Sequence, residues 1–216
     1  LAGIDRLEIL NLSKNRIVDL SSLVGFSDLE TLNLSSNRIV DVSPLANFES
    51  IWTLNLANNR IVDVSPLAKV SSDYLILGEN RIADVSPLKG TSGYSILDLS
   101  NQKISLADAT SGVPFTLPKV RFVDGTSVPL TIALGDGKIN GGTVTWNMPK
   151  GGDVVLTWSQ ELELEWVPDT YRFSGTISQK VLPATPIKSA TPTISGTAQV
   201  GKKLTANPGK WTEGAT

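Results

Sequence analysis

The chain contains no cysteine, so it has neither a disulfide framework nor a thiol nucleophile. That absence is neutral about compartment, because a core of adequate size can replace covalent staples. Histidine is missing as well. Its loss excludes Ser-His-Asp and Cys-His arrangements together with the usual zinc sites. No apolar run approaches the roughly 20 residues that a membrane-crossing helix needs, and no signal peptide is visible. There is no Lys/Arg run, and a net charge of -2 supplies no general attraction to nucleic acid or anionic membrane. Phosphate loops, dinucleotide fingerprints and basic-aromatic nucleic-acid surfaces are also lacking.

What remains is a chain of 216 residues, 40% of them apolar, which suffices to bury the core of one large or two modest domains. Its organising unit is Leu29–Ser50, LETLNLSSNRIVDVSPLANFES. The order apolar-x-x-Leu-x-Leu-x-x-Asn-x-Ile recurs with Asn15, Asn37, Asn59, Asn80 and Gln102 in register, at steps of 22, 22, 21 and 22 residues. The pairs Leu10/Leu12, Leu32/Leu34, Leu54/Leu56, Leu75/Leu77 and Leu97/Leu99 precede these positions, and Ile17, Ile39, Ile61, Ile82 and Ile104 follow them. This is a leucine-rich-repeat signature. Leu1-Ala2-Gly3-Ile4 matches Leu23-Val24-Gly25-Phe26, so the sequence is expected to start inside a repeat.

Spacing dictates the coil. Leu-x-Leu has period two, so each repeat contributes a short strand with its leucines inward. Stacked coils pair these strands into a parallel sheet. The Asn carboxamide both donates and accepts, and at the turn it can bridge backbone groups of adjacent coils. Asn15, Asn37, Asn59, Asn80 and Gln102 are therefore expected to form a structural ladder. Pro44, Pro66 and Pro87 stop the strand pattern, so Val-Ser-Pro-Leu suits a turn or 3₁₀ return on the convex side. Repeat four is one residue short near Ser71–Asp73, and Gln102 replaces Asn in repeat five, as befits atypical terminal repeats.

The 22-residue period, the Asn-Arg-Ile-Val-Asp-Val-Ser-Pro-Leu run and the exit Leu97–Ile104 resemble the internalin family of Gram-positive surface proteins. That resemblance covers about residues 1–182. It implies an array closed at its C-terminal end by an immunoglobulin-like adjacent domain, in a protein that is secreted, displayed on the cell surface or attached to the cell wall. The following segment fits. β-rich runs at Lys119–Val123, Val128–Leu134, Thr143–Met148, Val154–Trp158 and Tyr171–Ile177 alternate with Gly-rich turns. The expected fold is thus an α/β-type leucine-rich-repeat solenoid of strand plus turn or 3₁₀ coils, followed by an all-β Ig-like sandwich. Its divisions are residues 1–104 for the array, 105–182 for the Ig-like domain, 183–192 for a Pro/Thr-rich linker and 193–216 for an incomplete further module. The last of these resembles the start of stalk repeats in actinobacterial surface proteins, and it is expected to be poorly ordered because its strands lack a core.

A repeat protein meets partners with the outward residues of its strands. Trp52 and Tyr74 are the aromatic candidates among them, and Glu30, Asn33, Asn55, Ile76 and Asp98 complete the expected ligand-binding face. The alternative for Trp52 is packing at a sheet edge or beneath a loop. Arg16, Arg38, Arg60, Arg81 and Lys103 form a second column, and Asp19, Asp41, Asp63 and Asp84 a third. The Arg column could grip an acidic ligand, but the constant spacing favours Arg–Asp pairing in a solvated ladder.

No catalytic, metal or cofactor site is expected, and the chain is not expected to be an enzyme. Glu161, Glu163 and Glu165 share one strand face, but three carboxylates in register suit a solvated face better than glycoside hydrolysis. Asp136–Gly141 lacks the acidic spacing of a Ca²⁺ loop and reads as a turn. Trp146, Trp158 and Trp166 are expected to supply packing. The expected function is adhesin-like binding of a protein partner by a monomer, with a host-cell surface as one source of that partner. A glycan-binding module on the same face and a purely structural stalk segment remain open; nucleic acid and membrane insertion do not.

Overall fold

The fold is described from a computed structural model, over residues 7–26, 28–89, 94–162, 171–184, 193–196 and 198–207. Every Leu-x-Leu segment forms a strand: β1 (Ile9–Asn11), β2 (Thr31–Asn33), β3 (Ser50–Asn55), β4 (Ser71–Ile76) and β5 (Ile96–Ser105). They pair in parallel, in chain order, with Leu10, Leu32, Leu54, Leu75 and Leu97 in one transverse row. Between strands the chain returns through short 3₁₀ turns at Ser21–Leu23, Ser43–Asn47, Ser65–Leu67 and Ser86–Leu88. Three of these turns carry proline in the first turn, where its missing N–H costs nothing.

The interior is a stack of aliphatic layers. Leu32, Leu34, Ile39, Val42 and Leu45 of the second coil are buried, and their equivalents Leu54, Leu56, Ile61, Val64 and Leu67 of the third are buried too. The missing residue of repeat four leaves Ser72 in the slot that Leu29 and Ile51 fill elsewhere. Its hydroxyl is satisfied there by the Trp52 and Tyr74 carbonyls, at 3.4 and 3.2 Å.

Four side-chain amides, Asn37, Asn59, Asn80 and Gln102, bridge neighbouring coils. Asn37 donates through Nδ2 to the Leu12 and Leu34 carbonyls, both at 2.9 Å, while its Oδ1 accepts from the Ile17 N–H at 3.0 Å. Asn59 and Asn80 repeat the arrangement one and two coils on. Gln102 does the same work with one more methylene, reaching the Leu77 and Leu99 carbonyls at 3.0 and 3.1 Å and the Ile82 N–H at 3.1 Å. Asn15 differs: it is exposed, and among the described residues it donates to the Leu12 and Ser13 carbonyls of its own coil. The residue before each ladder position, Lys14, Ser36, Asn58, Glu79 and Asn101, has φ between 55° and 58°, so the chain enters every turn through the left-handed region.

After β5 come β6 (Ala109–Thr110), β7 (Pro114–Thr116), β8 (Thr131–Leu134), β9 (Gly137–Asn140), β10 (Thr143–Trp146), β11 (Gly152–Leu162) and β12 (Tyr171–Leu182). β12 lies parallel to β5, with Phe173 opposite Leu99 and Ile177 opposite Ile104. The repeat sheet therefore continues without a break as β1-β2-β3-β4-β5-β12-β11-β8, with β6 on the far end of β12. A second, three-stranded sheet has the order β7-β10-β9. Trp146 of β10 and Phe173 of β12 are fully buried in the shared core. The Trp146 indole N–H donates to Gln179 Oε1 at 2.9 Å, and Gln179 Nε2 donates to the Ala107 carbonyl at 2.8 Å, whereas the buried Trp158 indole N–H has no partner among the described residues. Gly175 is required where Trp158 crosses β12, because a Cβ there would lie 2.4 Å from the indole and 2.6 Å from the Gln102 carbonyl oxygen.

Several expectations change. Lys119–Val123 forms no strand; Arg121 makes isolated bridges to Asp84 and Ser127, while Val120 and Phe122 are buried. Gly137–Asn140, expected as part of a turn, is a strand paired with β10, and the turn falls at Gly141-Gly142. The tail contains a hairpin, β13 (Thr193–Ser195) with β14 (Thr205–Asn207), whose side chains are exposed. Glu163, Glu165 and Trp166, and linker residues 185–192, lie outside the described residues. Among the described residues no helix is long and apolar enough to cross a membrane.

Candidate functional site

The outward row of the sheet reads Ile9, Thr31, Thr53, Tyr74 and Ile96, strand by strand. Trp52 precedes Thr53 and is 58% exposed. Its ring meets that of Tyr74 with centroids 5.9 Å apart and planes tilted by 43°. This geometry lies within the favourable range for aromatic pairs. Tyr74 is half-buried, so the pair presents the Trp52 face to solvent while Tyr74 supports it. Ile76 is partly buried beside Leu75, and Ile96 is 39% exposed next to Tyr74 in the row.

A depression beside Trp52 is lined by Asp28, Leu29, Glu30, Ser50 and Asp73. Repeat spacing makes Glu30 legible as an outward residue, and the lining adds Asp73 and Asp28. The signal for Asp28 is the same period, which puts it 22 residues before Ser50, and Ser50 pairs with Ser71 at the widened start of the sheet. The rim of the aromatic pair is therefore acidic.

Asn33, Asn55 and Asp98 share the next outward row with Asn11 and Ile76. Each commits one oxygen to the chain itself: Asn33 Oδ1 accepts from the Ser35 N–H at 3.0 Å, and Asn55 Oδ1 accepts from the Ala57 N–H at 3.0 Å. Asp98 Oδ1 accepts from the Ser100 N–H and hydroxyl at 2.9 and 2.7 Å. These residues shape the face first. Among the described residues, the Nδ2 groups of Asn33 and Asn55 donate to no protein atom, which leaves them available to a partner. Gly78 is buried beneath Asp98, where a Cβ would approach Oδ2 to 2.7 Å.

The expected Arg–Asp pairing does not occur. Among the described residues, ion pairs join Lys103 to Glu79 at 3.1 Å and Arg172 to Glu161 at 2.9 Å, and none joins the Arg and Asp columns. Each column aspartate instead folds onto the serine two residues later. Asp41 accepts from the Ser43 N–H and hydroxyl, both at 2.8 Å, and Asp19, Asp63 and Asp84 do likewise with Ser21, Ser65 and Ser86. The Ser43 N–H, then its hydroxyl, hold the Asp41 carboxyl below the usual aspartate range, and Ser21 has the same effect on Asp19. The aspartates thus tie down the entry of each 3₁₀ turn. Among the described residues no group of carboxylates is arranged to hold a metal ion.

Comparison with known proteins agrees on the array. Residues 5–47 match the family described as Leucine Rich repeats (2 copies). No curated protein matches the chain. Solved structures similar to it include three internalins of Listeria monocytogenes. Internalin C2 is 37% identical over 44% of this chain and 42% of its own, with a TM-score of 0.40. The internalin inlF is 28% identical over 45% and 30%, with a TM-score of 0.39. InlP is 16% identical over 79% and 52%, with a TM-score of 0.40. The chain thus spans about half or less of the length of each of these proteins.

Proposed function

We propose that this chain is the binding module of an adhesin-like cell-surface or secreted protein, and that its outward sheet face recognises a protein partner. The observation that carries this reading is the exposed Trp52 ring, braced by Tyr74 and rimmed by Asp28, Glu30 and Asp73. Aromatic anchors with satisfied backing and a polar rim are the usual source of interface energy. In the proposed site Glu30, Asn33, Asn55, Ile76 and Asp98 surround the anchor, and the acidic rim suits a partner that presents a basic side chain beside an apolar one. The role is binding and not catalysis.

The proposal extends to the rest of the chain. Residues 1–104 serve as the recognition array and 105–182 as an Ig-like adjacent domain that closes it. Two separate sheets joined by the Trp146–Gln179 hydrogen bond support that reading. Residues 183–192 then act as a linker to a further surface-protein module that begins at 193. A screen of the chain against purified cell-surface ectodomains, run beside a glycan array, tests the assignment. Saturable binding to an ectodomain supports it; selective glycan hits alone would replace it with a lectin-type reading, and silence in both would leave a structural stalk.

A further inference from the structure

The Arg column lies on a different flank of the solenoid from the aromatic pair. Arg38, Arg60 and Arg81 are exposed, and with Lys103 they line a groove of about 380 Å³ whose lining holds a single carboxylate, Glu79. That carboxylate is already paired with Lys103. Asp41, Asp63 and Asp84 are turned onto their own serines, and among the described residues no acid is ion-paired with these guanidinium groups, so the groove lining itself is net positive. A chain of net charge -2 therefore carries a positive stripe along one edge of its repeats.

Beside the stripe runs an apolar one. In the second and third coils the buried Ile39 and Ile61 separate two exposed residues, Arg38 from Val40 and Arg60 from Val62, so arginine and valine emerge on the same side; the fourth coil has Ala83 in the valine position. Val18, Val40 and Val62 are each at least half exposed, at 57%, 50% and 55%. Coils stack about 4.8 Å apart, so the three arginines cover on the order of 10 Å, a span that three or four residues of extended polypeptide match.

We propose that this flank is a second docking surface, one that takes an extended acidic polypeptide segment of a partner protein with apolar side chains between its carboxylates. Guanidinium forks grip carboxylates through paired N–H donors, which accounts for the charge. The valine stripe selects a polypeptide over a simple polyanion, because a polyphosphate or acidic glycan has nothing apolar to bury against Val40 and Val62.

The test uses the full chain and three probes: a fluorescein-labelled peptide of alternating Glu and Val, poly-glutamate of matched charge, and inorganic polyphosphate. The peptide should bind tightest. Arg38→Gln/Arg60→Gln/Arg81→Gln should weaken it roughly tenfold or more, and raising salt from about 0.05 to about 0.5 M should weaken it further. Val40→Thr/Val62→Thr should weaken the peptide roughly threefold and leave poly-glutamate unchanged. Lys150→Gln/Lys180→Gln/Lys202→Gln, which removes the same charge elsewhere, should have little effect. Absence of peptide binding, equal or tighter binding of polyphosphate, or indifference to the triple arginine substitution overturns the proposal. None of these outcomes bears on the Trp52 face, which lies on another row of the coil.

Discussion

Trp52 and Tyr74 come from consecutive repeats and from non-equivalent positions, yet their rings meet at 5.9 Å. Tyr74 pairs across the sheet with Thr53, and Trp52 reaches diagonally to it. The one-residue deletion between Val70 and Ser72 lies just ahead of Tyr74, and it leaves a serine with its hydroxyl bonded to both the Trp52 and Tyr74 carbonyls. The irregularity that interrupts the array thus coincides with the feature that distinguishes its face.

The ladder predicts a graded series. Asn59→Ala strands the buried Ile39 N–H and removes one of the two amide donors from each of the Leu34 and Leu56 carbonyls, so it should cost about 1–3 kcal/mol. Asn15→Ala, exposed and bonded within its own coil among the described residues, should stay within about 0.5 kcal/mol. Urea denaturation of both variants measures the difference; equal losses would remove the inter-coil role.

Acid should loosen the 3₁₀ entries. Asp19 and Asp41 are held below their ordinary value in the folded chain, so in acid the unfolded chain binds more protons than the folded one. Their contribution is complete above the unfolded-state value of about 3.9 and is lost as pH falls through the lower folded-state value. Melting temperature followed from about pH 5 down to about pH 2 should fall less steeply in Asp41→Asn than in the parent chain.

The left-handed turns predict a sign change at one position. With φ at 58°, Ser36 bears the steric cost of a Cβ. Ser36→Val should destabilise by about 1–2 kcal/mol, whereas Ser36→Gly should be neutral or slightly stabilising. Denaturant midpoints of the two variants check the order.

The core between the two sheets depends on a polar contact. Gln179→Leu removes the acceptor of the Trp146 indole N–H and the donor to the Ala107 carbonyl, which should cost about 1–3 kcal/mol although the new residue is apolar. A melt monitored by tryptophan fluorescence reads it directly.

The coils were legible because their determinants are local. Period two places Leu32 and Leu34, proline ends the strand, and an amide at each turn has one economical use. Pairing between the Arg and Asp columns failed for an equally local reason: in Asp-Val-Ser the carboxylate reaches the N–H and hydroxyl two residues on at less entropic cost than a long arginine arm. That Asp-x-Ser signature was in the sequence. The parallel docking of β12 on β5 was not, because alternation in Tyr171–Leu182 says which face is buried and nothing about which strand lies beside it. The β-rich run Lys119–Val123 has the same limit: Val120 and Phe122 are buried, but the segment runs beside the repeat-four coil with isolated bridges in place of a strand. Trp52 was visible as an exposed aromatic candidate; its brace and acidic rim needed the stacked coils.

The central claim is that the Trp52–Tyr74 face binds a protein. The direct measurement is the dissociation constant for an ectodomain recovered in the screen, compared between the parent chain and Trp52→Ala/Tyr74→Ala at equal melting temperature. The account predicts a loss of at least roughly thirtyfold, or about 2 kcal/mol, as befits a central aromatic anchor. Equal binding by the two proteins would contradict it.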